Sequence, residues 1–236
     1  MLFIMNKAGR SLASSSKKKA IVLLSGGLDS ATTLYYAKDQ GYDVKALIFD
    51  YGQRHRKEIL SACAVARAAK VAFEVIKIAL PWKGSALLDK GMHVPDKGVK
   101  KGSIPSTYVP ARNIIFLSFA ASFAEAVGAG VIFIGANAVD YSGYPDCRPD
   151  FFKAFSGALK KGMKVGVEGH ALRIETPLLR LTKAGIIRLG LRLGVPYGKT
   201  WSCYNGVTRP CGVCDSCRLR VKGFSEVGVL DPVEKR

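Results

Sequence analysis

Short apolar runs alternate with amphipathic segments along most of the chain. Apolar runs predict buried strands over 20–24, 44–49 and 131–135, alternation predicts a strand over 73–78, and residues 172–177 are compatible with a short strand. The segments between and after them predict helices over 29–39, 54–70, 114–127, 151–160 and 182–193. This alternation is typical of an α/β fold, a Rossmann-like doubly wound parallel sheet with helices on both faces. Because such sheets bind ligands at the carboxyl ends of their strands, we expect a site in the loops that follow the strands.

Residues 114–136 form an apolar stretch long enough to span a bilayer. Glu125 lies near its middle, where a charge is costly, and Gly128 and Gly130 interrupt the run. The pattern therefore favours a buried helix, a turn and a buried strand, and no transmembrane helix is predicted.

The chain has 236 residues, of which 48% are hydrophobic and 23% are charged. This composition is typical of an ordinary globular protein and excludes collagenous and disordered classes. The formal charge is +18, and residues 1–19 contribute five basic residues and no acid, which predicts a disordered basic head. The remainder still carries +13 and suits a polyanion: nucleic acid, a membrane surface or a phosphorylated ligand. No export signal is present, so a cytoplasmic location is expected.

The first predicted strand leads directly into Ser25-Gly26-Gly27-Leu28-Asp29-Ser30 and then into a predicted helix. Glycines let the backbone approach a phosphate, and the start of a helix presents free N–H groups. Serine hydroxyls add donors, and an aspartate here can help to hold Mg²⁺. SGGLDS resembles the SGGxDS loop of the N-type ATP pyrophosphatases, which favours nucleotide binding over an ordinary strand–helix turn.

Four of the six cysteines lie close together, as Cys203, Cys211, Cys214 and Cys217. Their C-x7-C-x2-C-x2-C spacing predicts a closed, tetrahedral structural zinc site. A four-cysteine iron–sulfur cluster is a weaker alternative, followed by a redox dithiol and by a cluster without metal.

Three polar segments lie at ends of predicted strands or helices on the same edge of the sheet. They are two loops, 103–113 and 136–150, and the DYGQRH stretch at 50–55. Their aromatic, amide and carboxylate side chains are suited to a planar heterocycle. Composition alone favours solvated surface loops instead.

The chain resembles the 7-cyano-7-deazaguanine synthase family from about Ala20 to Gly228. The resemblance depends on LLSGGLDSATTL, FDYGQRH, STYVPARN, GANAVDYSGYPDCRPD, VEGHALRIETPL, LTKAGIIRLGLRLGVP, TWSCYNG and PCGVCDSCRLR. It implies an adenine nucleotide alpha hydrolase-like fold within the N-type ATP pyrophosphatase superfamily. Two departures are the basic head and Ala111, where the family often has glycine before the arginine.

The resemblance also implies a reaction. 7-Carboxy-7-deazaguanine, ammonia and ATP would give the nitrile 7-cyano-7-deazaguanine for queuosine biosynthesis, through an adenylated acid and an adenylated amide, with release of AMP and pyrophosphate. It further implies ATP with Mg²⁺ as cosubstrate, one structural Zn²⁺ per chain and a homodimer, with neither a membrane nor an obligatory nucleic acid partner.

By the same resemblance, ATP contacts are expected at Leu24, Ser25, Gly26, Gly27, Leu28, Asp29, Ser30, Ala31, Thr32, Thr33, Leu34 and Lys183. Contacts with the heterocycle or nucleotide are expected at Tyr51, Gln53, Arg112, Asn113, Asn137, Asp140, Tyr144, Asp146 and Arg148.

The expected organisation is a catalytic domain over 20–200, a zinc-binding segment over 201–228 packed on it, and a tail over 229–236. Two alternatives remain at this stage. One is a tRNA-modifying enzyme of the same superfamily that adenylates a base, and the other is a zinc-stabilised nucleic-acid binder without catalytic activity.

Overall fold

The computed structural model describes residues 17–233 except 55, 83, 90, 95–103, 138–142 and 207. Most of the basic head and the predicted site residue Asp140 therefore lie outside the described residues.

Five strands form one sheet: β1 (Lys19–Leu23), β2 (Asp43–Asp50), β3 (Ala72–Lys77), β4 (Val131–Phe133) and β5 (Arg173–Glu175). Every neighbouring pair is parallel, in the order β3-β2-β1-β4-β5. The predicted α/β fold with a doubly wound parallel sheet is confirmed. The chain builds outward from β1 to β3 and then returns to the other side of β1, so the switch point lies between β1 and β4.

The helices are α1 (Leu28–Asp39), α2 (Lys57–Ala68), α3 (Arg112–Val127), α4 (Pro149–Gly162), α5 (Lys164–Val167), α6 (Lys183–Arg192) and α7 (Asp215–Val227). Two 3₁₀ turns, Pro145–Cys147 and Tyr197–Lys199, complete the described elements. The predicted helices agree with α1 to α4 and α6 to within about three residues at each end, whereas α5 and α7 were not predicted.

The sheet separates two apolar cores because successive strand residues point to opposite faces. Val22 and Ile48 face one core, which is shared with α1, α2, α6 and α7. Ile21 and Leu47 face the other core, which is shared with α3 and α4. Burial on both faces explains why these strands are continuous apolar runs.

The apolar stretch from 114 to 136 is divided as predicted. The helix α3 ends at Gly128, which has the left-handed φ of 70° that favours glycine, and β4 follows. Of the helices that the structure describes, none has the length and apolar character needed to cross a membrane.

The C-terminal helix α7 packs against α6, and its buried residues include Cys217, Arg220 and Phe224. Arg220 makes a bidentate ion pair with Asp231, with Nε–Oδ2 and Nη2–Oδ1 distances of 2.6 and 2.9 Å. It also donates to Thr200 Oγ1 at 2.7 Å and to Tyr197 O at 3.1 Å. This network attaches residues 229–233 to the main body of the fold.

We expect Asp231→Ala to lower the free energy of unfolding by about 3–5 kcal/mol, because it leaves the Arg220 guanidinium buried without a counter-charge. Glu226→Ala is the matched control, since Glu226 forms an exposed pair with Lys222 at 3.8 Å and its loss should cost less than about 0.5 kcal/mol. Urea unfolding of both variants measures the difference. Equal losses would contradict the importance given to the buried pair.

Candidate active site

The loop between β1 and α1, residues 24–30, is named the phosphate loop for the motif it carries, and it is held against α2 at Gly26. Its φ is +83°, and a Cβ on this residue would lie 2.3 Å from Glu58 O and 2.6 Å from Ala62 N. Any other residue would therefore be strained in its backbone and would also clash with the backbone of α2. The close approach brings the first turn of α2 to the edge of this loop.

The two serines of the loop contact each other across its base. The Oγ atoms of Ser25 and Ser30 lie 3.0 Å apart, and the Ser25 N–H donates to Ser30 Oγ at 3.2 Å. Gly27 precedes α1 without a side-chain cap, so the helix start presents free N–H groups. The loop thus has the backbone and hydroxyl donors of an anion site.

Asp29 lies in the first turn of α1 and is held by two other segments. Lys183 Nζ, at the start of α6, lies 2.8 Å from both carboxylate oxygens of Asp29. Asn137 Nδ2 donates to Asp29 Oδ2 at 3.2 Å from the loop after β4. Both charged side chains are largely buried, so their orientation is well defined.

Four residues predicted to contact ATP lie further along α1 and pack into the core. Ala31 and Leu34 are fully buried among apolar residues. Thr33 Oγ1 donates to Asp29 O, and Thr32 Oγ1 lies 2.8 Å from Tyr197 OH. These residues pack beneath the loop and are not part of the lining of the pocket beside it.

A pocket of about 230 Å³ opens at the carboxyl edge of the sheet beside the loop. Its lining includes most of the predicted loop residues, namely Leu24, Ser25, Gly27, Leu28, Asp29 and Ser30. It also includes five of the predicted heterocycle or nucleotide contacts: Tyr51, Gln53, Arg112, Asn113 and Tyr144. Loops far apart in sequence therefore meet at one cavity, as expected for a parallel sheet.

Residues after β2 form one wall of this pocket. Gln53 folds back on its own strand, since its Oε1 accepts from Tyr51 N at 2.9 Å and its Nε2 donates to Phe49 O at 3.2 Å. The Tyr51 ring is buried, its hydroxyl accepts a long hydrogen bond of 3.5 Å from Arg112 Nη1, and burial raises the pKa of its phenol. This wall carries the Tyr51 ring and the Gln53 side chain and ends at the Arg112 guanidinium.

The loop around residue 146 is attached to the start of α3. Asp146 Oδ2 accepts from Asn113 N at 2.9 Å, and Asn113 Nδ2 donates to Cys147 Sγ at 3.1 Å. Asp146 is thus a buried cap for α3, whereas Cys147 and Asn113 reach the pocket. Arg148 is exposed and lies outside the pocket lining.

Ala111, the departure from the family pattern, immediately precedes α3. Its φ of 54° and ψ of 22° lie in the left-handed region, where a non-glycine residue costs about 1–2 kcal/mol. Tyr108 OH accepts from Ala111 N at 3.1 Å and supports this conformation. A glycine at this position would adopt the same conformation without that cost.

The carboxylate of Glu58 also lines the pocket, from the first turn of α2. Burial raises the pKa of Glu58 to about 7, with Arg112 acting in the opposite direction and Cys203 in the same one. Across the part of the chain that the structure describes, this carboxylate has no hydrogen-bond or ion-pair partner. It is a half-buried acid facing a cavity.

The segment after the second 3₁₀ turn closes the pocket from the opposite side. Trp201 N donates to Gly26 O at 2.9 Å, and Trp201 Nε1 donates to Cys203 O at 3.0 Å. Lys57 Nζ lies 4.0 Å from the centroid of the Trp201 ring. The lining of the pocket also includes Trp201, Ser202, Tyr204 and Ser216. The hydrogen bond from Trp201 to Gly26 connects the cysteine-rich segment directly to the phosphate loop.

The four predicted cysteines come together at the end of this segment. One Sγ from each of Cys203, Cys211, Cys214 and Cys217 lies within 4.8 Å of the others, and three of the four residues are buried. A single tetrahedral ion with metal–sulfur bonds of about 2.3 Å would hold thiolates about 3.8 Å apart, which this arrangement can reach with small shifts. The cluster could therefore hold one metal ion.

Backbone N–H groups donate hydrogen bonds to two of these sulfurs. Cys203 Sγ accepts from Gly206 N at 2.9 Å and from Cys211 N at 3.2 Å, and Cys211 Sγ accepts from Cys214 N at 3.4 Å. Hydrogen bonds from the neighbouring thiols and from the backbone lower the pKa of Cys203. Donors of this kind stabilise thiolates, the form that binds metal.

Sequence reasoning missed several lining residues, including Glu58, Phe116, Cys147 and Trp201. For Glu58 a weak signal was present, since an acid in the first turn of a helix after the second strand lies near the expected ligand edge. Trp201 follows the last predicted helix, and its position depends on where the C-terminal segment returns to the sheet.

Among solved structures, the fold is similar to that of NMN synthetase from Francisella tularensis, with a TM-score of 0.52 and 16% identity, covering 93% of this chain and 82% of that one. It is also similar to the U34-tRNA thiolase NcsA from Methanococcus maripaludis, solved with its [4Fe-4S] cluster, with a TM-score of 0.50 and 14% identity, covering 90% and 66% of the two chains. At these identities the likeness shows a shared fold alone.

The chain has much higher identity to proteins named 7-cyano-7-deazaguanine synthase. It is 53% identical to the Thermoplasma acidophilum protein over 220 residues, which cover 92% of both chains. It is also 53% identical to the Cyanothece protein over 228 residues, covering 92% of this chain and 100% of that one. The family described as queuosine biosynthesis protein QueC matches residues 19–228. This chain, with its phosphate loop and cysteine cluster at one edge of a parallel sheet, belongs to the QueC family.

Proposed function

We propose that the chain is an ATP-dependent 7-cyano-7-deazaguanine synthase that converts 7-carboxy-7-deazaguanine and ammonia into the nitrile in queuosine biosynthesis. The observation that carries the proposal is the phosphate loop with its paired serines, free helix start and buried Asp29–Lys183 pair, which opens directly into the lined pocket. The high identity over more than nine-tenths of the chain to proteins named for this reaction supports the assignment.

The chemistry requires an oxygen of the substrate to be made into a leaving group. The carboxylate attacks the α-phosphorus of ATP, pyrophosphate leaves and an acyl adenylate forms. Ammonia then displaces AMP to give the amide, and a second adenylation of the amide oxygen followed by loss of AMP gives the nitrile. Fixed donors that stabilise phosphate charge and position the reactants can supply much of the acceleration.

In this proposal the loop from Leu24 to Ser30 binds the phosphates, and Asp29 is the carboxylate placed to help hold Mg²⁺. Lys183 orients that carboxylate and adds positive charge beside the phosphates. The next four residues of α1 contribute to ATP binding indirectly, because their packing keeps the start of the helix in position. They are Ala31, Thr32, Thr33 and Leu34.

The heterocycle is proposed to bind along the wall formed by Tyr51, Arg112, Asn113 and Tyr144. Tyr144 OH lies 2.9 Å from Thr107 Oγ1, and its ring stacks on that of Tyr108 at 6.0 Å. Aromatic faces and a guanidinium are suited to a planar, hydrogen-bonding ring that carries a carboxylate.

For the cysteine cluster we propose one structural zinc per chain. A cubane iron–sulfur cluster places several iron atoms between its thiolates and holds the sulfurs further apart than one ion does. The compact arrangement of the four sulfurs and their backbone N–H donors support a single ion. Zinc would connect the segment after Trp201 to the start of α7. A homodimer and a cytoplasmic location are further proposals and depend on the resemblance alone.

Purified protein incubated with ATP, Mg²⁺, ammonium and 7-carboxy-7-deazaguanine tests the reaction by mass spectrometry. We expect 7-cyano-7-deazaguanine, AMP and pyrophosphate in amounts that depend on the carboxylated substrate. Accumulation of the amide would assign the second activation to another protein. Absence of substrate-dependent AMP would reject the proposal and favour a tRNA-modifying activity.

We expect Asp29→Asn to lower kcat by about 100-fold or more, because the loop would lose its anionic ligand for the metal that accompanies ATP. The fold should persist, since the amide remains isosteric and can still contact Asn137. Asp39→Asn, at the exposed end of the same helix, is the control and should retain activity. Initial-rate assays and thermal melting separate the two effects, and a variant with substantial activity would refute the role of Asp29.

We expect Cys214→Ser to lose bound metal together with most soluble protein, because structural zinc supplies on the order of 10 kcal/mol to such segments. Cys63→Ser is the control, since Cys63 lies in α2 outside the cluster. Elemental analysis should find one zinc per wild-type chain and none in Cys214→Ser. A stable, metal-free and active Cys214→Ser protein would contradict a structural role.

A further inference from the structure

The pocket contains a second acid whose role the phosphate chemistry does not explain. Glu58 lines the cavity from the first turn of α2, and its carboxylate has no hydrogen-bond or ion-pair partner among the described residues. A carboxylate that lines a cavity and has no protein partner there keeps its acceptor oxygens available, which points to a ligand that supplies donors or positive charge.

Glu58 lies on the turn of α2 that contacts the phosphate loop. Its backbone carbonyl lies against Gly26, in the middle of the phosphate loop. The acyl group must also lie beside this loop when it is joined to the α-phosphate. Glu58 therefore belongs to the part of α2 that contacts the phosphate loop, the side of the pocket at which the acyl adenylate would form.

Two proposed substrates carry N–H donors that a carboxylate could bind. The heterocycle carries its donors at N1 and the 2-amino group of the six-membered ring and at N9 of the five-membered ring, none of them on a ring atom next to the carbon that bears the carboxylate. If the 7-carboxylate lies at the phosphate loop, those donors point away from it and away from Glu58. Ammonium, in contrast, must arrive at the reacting carbon itself.

We propose that Glu58 binds the ammonium ion that becomes the nitrogen of the product, an inference that rests on the proposed function. The carboxylate supplies the counter-charge and acceptor oxygens for the N–H groups of the ion. Arg112 interacts with Glu58 through its charge, and among the described residues no ion pair joins the two, so the carboxylate remains available for a cation.

The step balances in atoms and charge. Ammonium transfers one proton to the carboxylate, and the freed lone pair forms the carbon–nitrogen bond at the acyl carbon. The carbon–oxygen bond to the phosphate breaks, AMP leaves with the bonding electrons, and a second proton leaves the nitrogen to water. The products are the amide and AMP, with no external oxidant or reductant.

Steady-state kinetics of Glu58→Gln test the assignment, since glutamine preserves shape and removes the charge. We expect the KM for ammonium to rise about tenfold or more, while the KM values for ATP and for 7-carboxy-7-deazaguanine change less than about twofold. Glu74→Gln is the control, because Glu74 is an exposed carboxylate on β3 paired with Lys45 at 3.0 Å and should leave all three values unchanged. Glu58→Asp keeps the charge on a shorter side chain and should give an intermediate KM for ammonium. If Glu58→Gln does not fold, the KM for ammonium of Glu58→Asp is compared with that of the wild type instead.

Hydroxylamine separates binding of a cation from a general structural role. It is largely uncharged near neutral pH, so its addition to the acyl adenylate should depend little on a counter-charge. We expect Glu58→Gln to lose much less activity with hydroxylamine than with ammonium, measured as hydroxamate formation.

Three results would overturn the assignment: an unchanged KM for ammonium, equal losses with both nucleophiles, or a shift confined to the KM for the heterocycle. Wild-type protein that forms no nitrile would instead reject the proposed function, independently of any result for Glu58.

Discussion

The contact between Gly26 and the backbone of α2 is the constraint on which the site depends. Because there is no space for a side chain at this point, the phosphate loop and the first turn of α2 are held at backbone contact. Gly26 O also accepts from Trp201 N, so the same residue joins the C-terminal segment to the loop. One residue thereby sets the separation of three walls of the pocket, and a rigid separation is what catalysis by positioning needs.

A second constraint is the burial of opposite charges behind the loop. Asp29 would be costly in this position without Lys183, which reaches it from a helix more than 150 residues later in the chain. Asn137 adds a donor from the loop after β4. The start of α1 is therefore held from the α6 side of the sheet and from its carboxyl edge, which keeps its free N–H groups aligned toward the cavity.

Much of the fold and part of the site could be predicted because their signals are local. A buried strand, a glycine pair and a helix start are adjacent in sequence, and so are three of the four clustered cysteines. Glu58 had only the weak signal of an acid in the first turn of the helix after β2, and Trp201 could not be assigned, since its place in the pocket results from the approach of a distant segment. The helix α7 was missed because its buried face includes Cys217 and the charged Arg220, which interrupt the apolar pattern. The exposure of Arg148 likewise follows from loop geometry and has no sequence signal.

The link from Trp201 to Gly26 also has a consequence for how the protein matures. During synthesis, domains form from the N-terminus as the chain emerges, yet contacts between distant segments form late. Strands β1 to β4 can pair while the last hundred residues are still absent, but Gly26 O gains its partner only after residue 201 has left the ribosome. A nascent chain would thus have a nearly complete sheet and an open nucleotide loop, so that ATP affinity arises as one of the final events of folding.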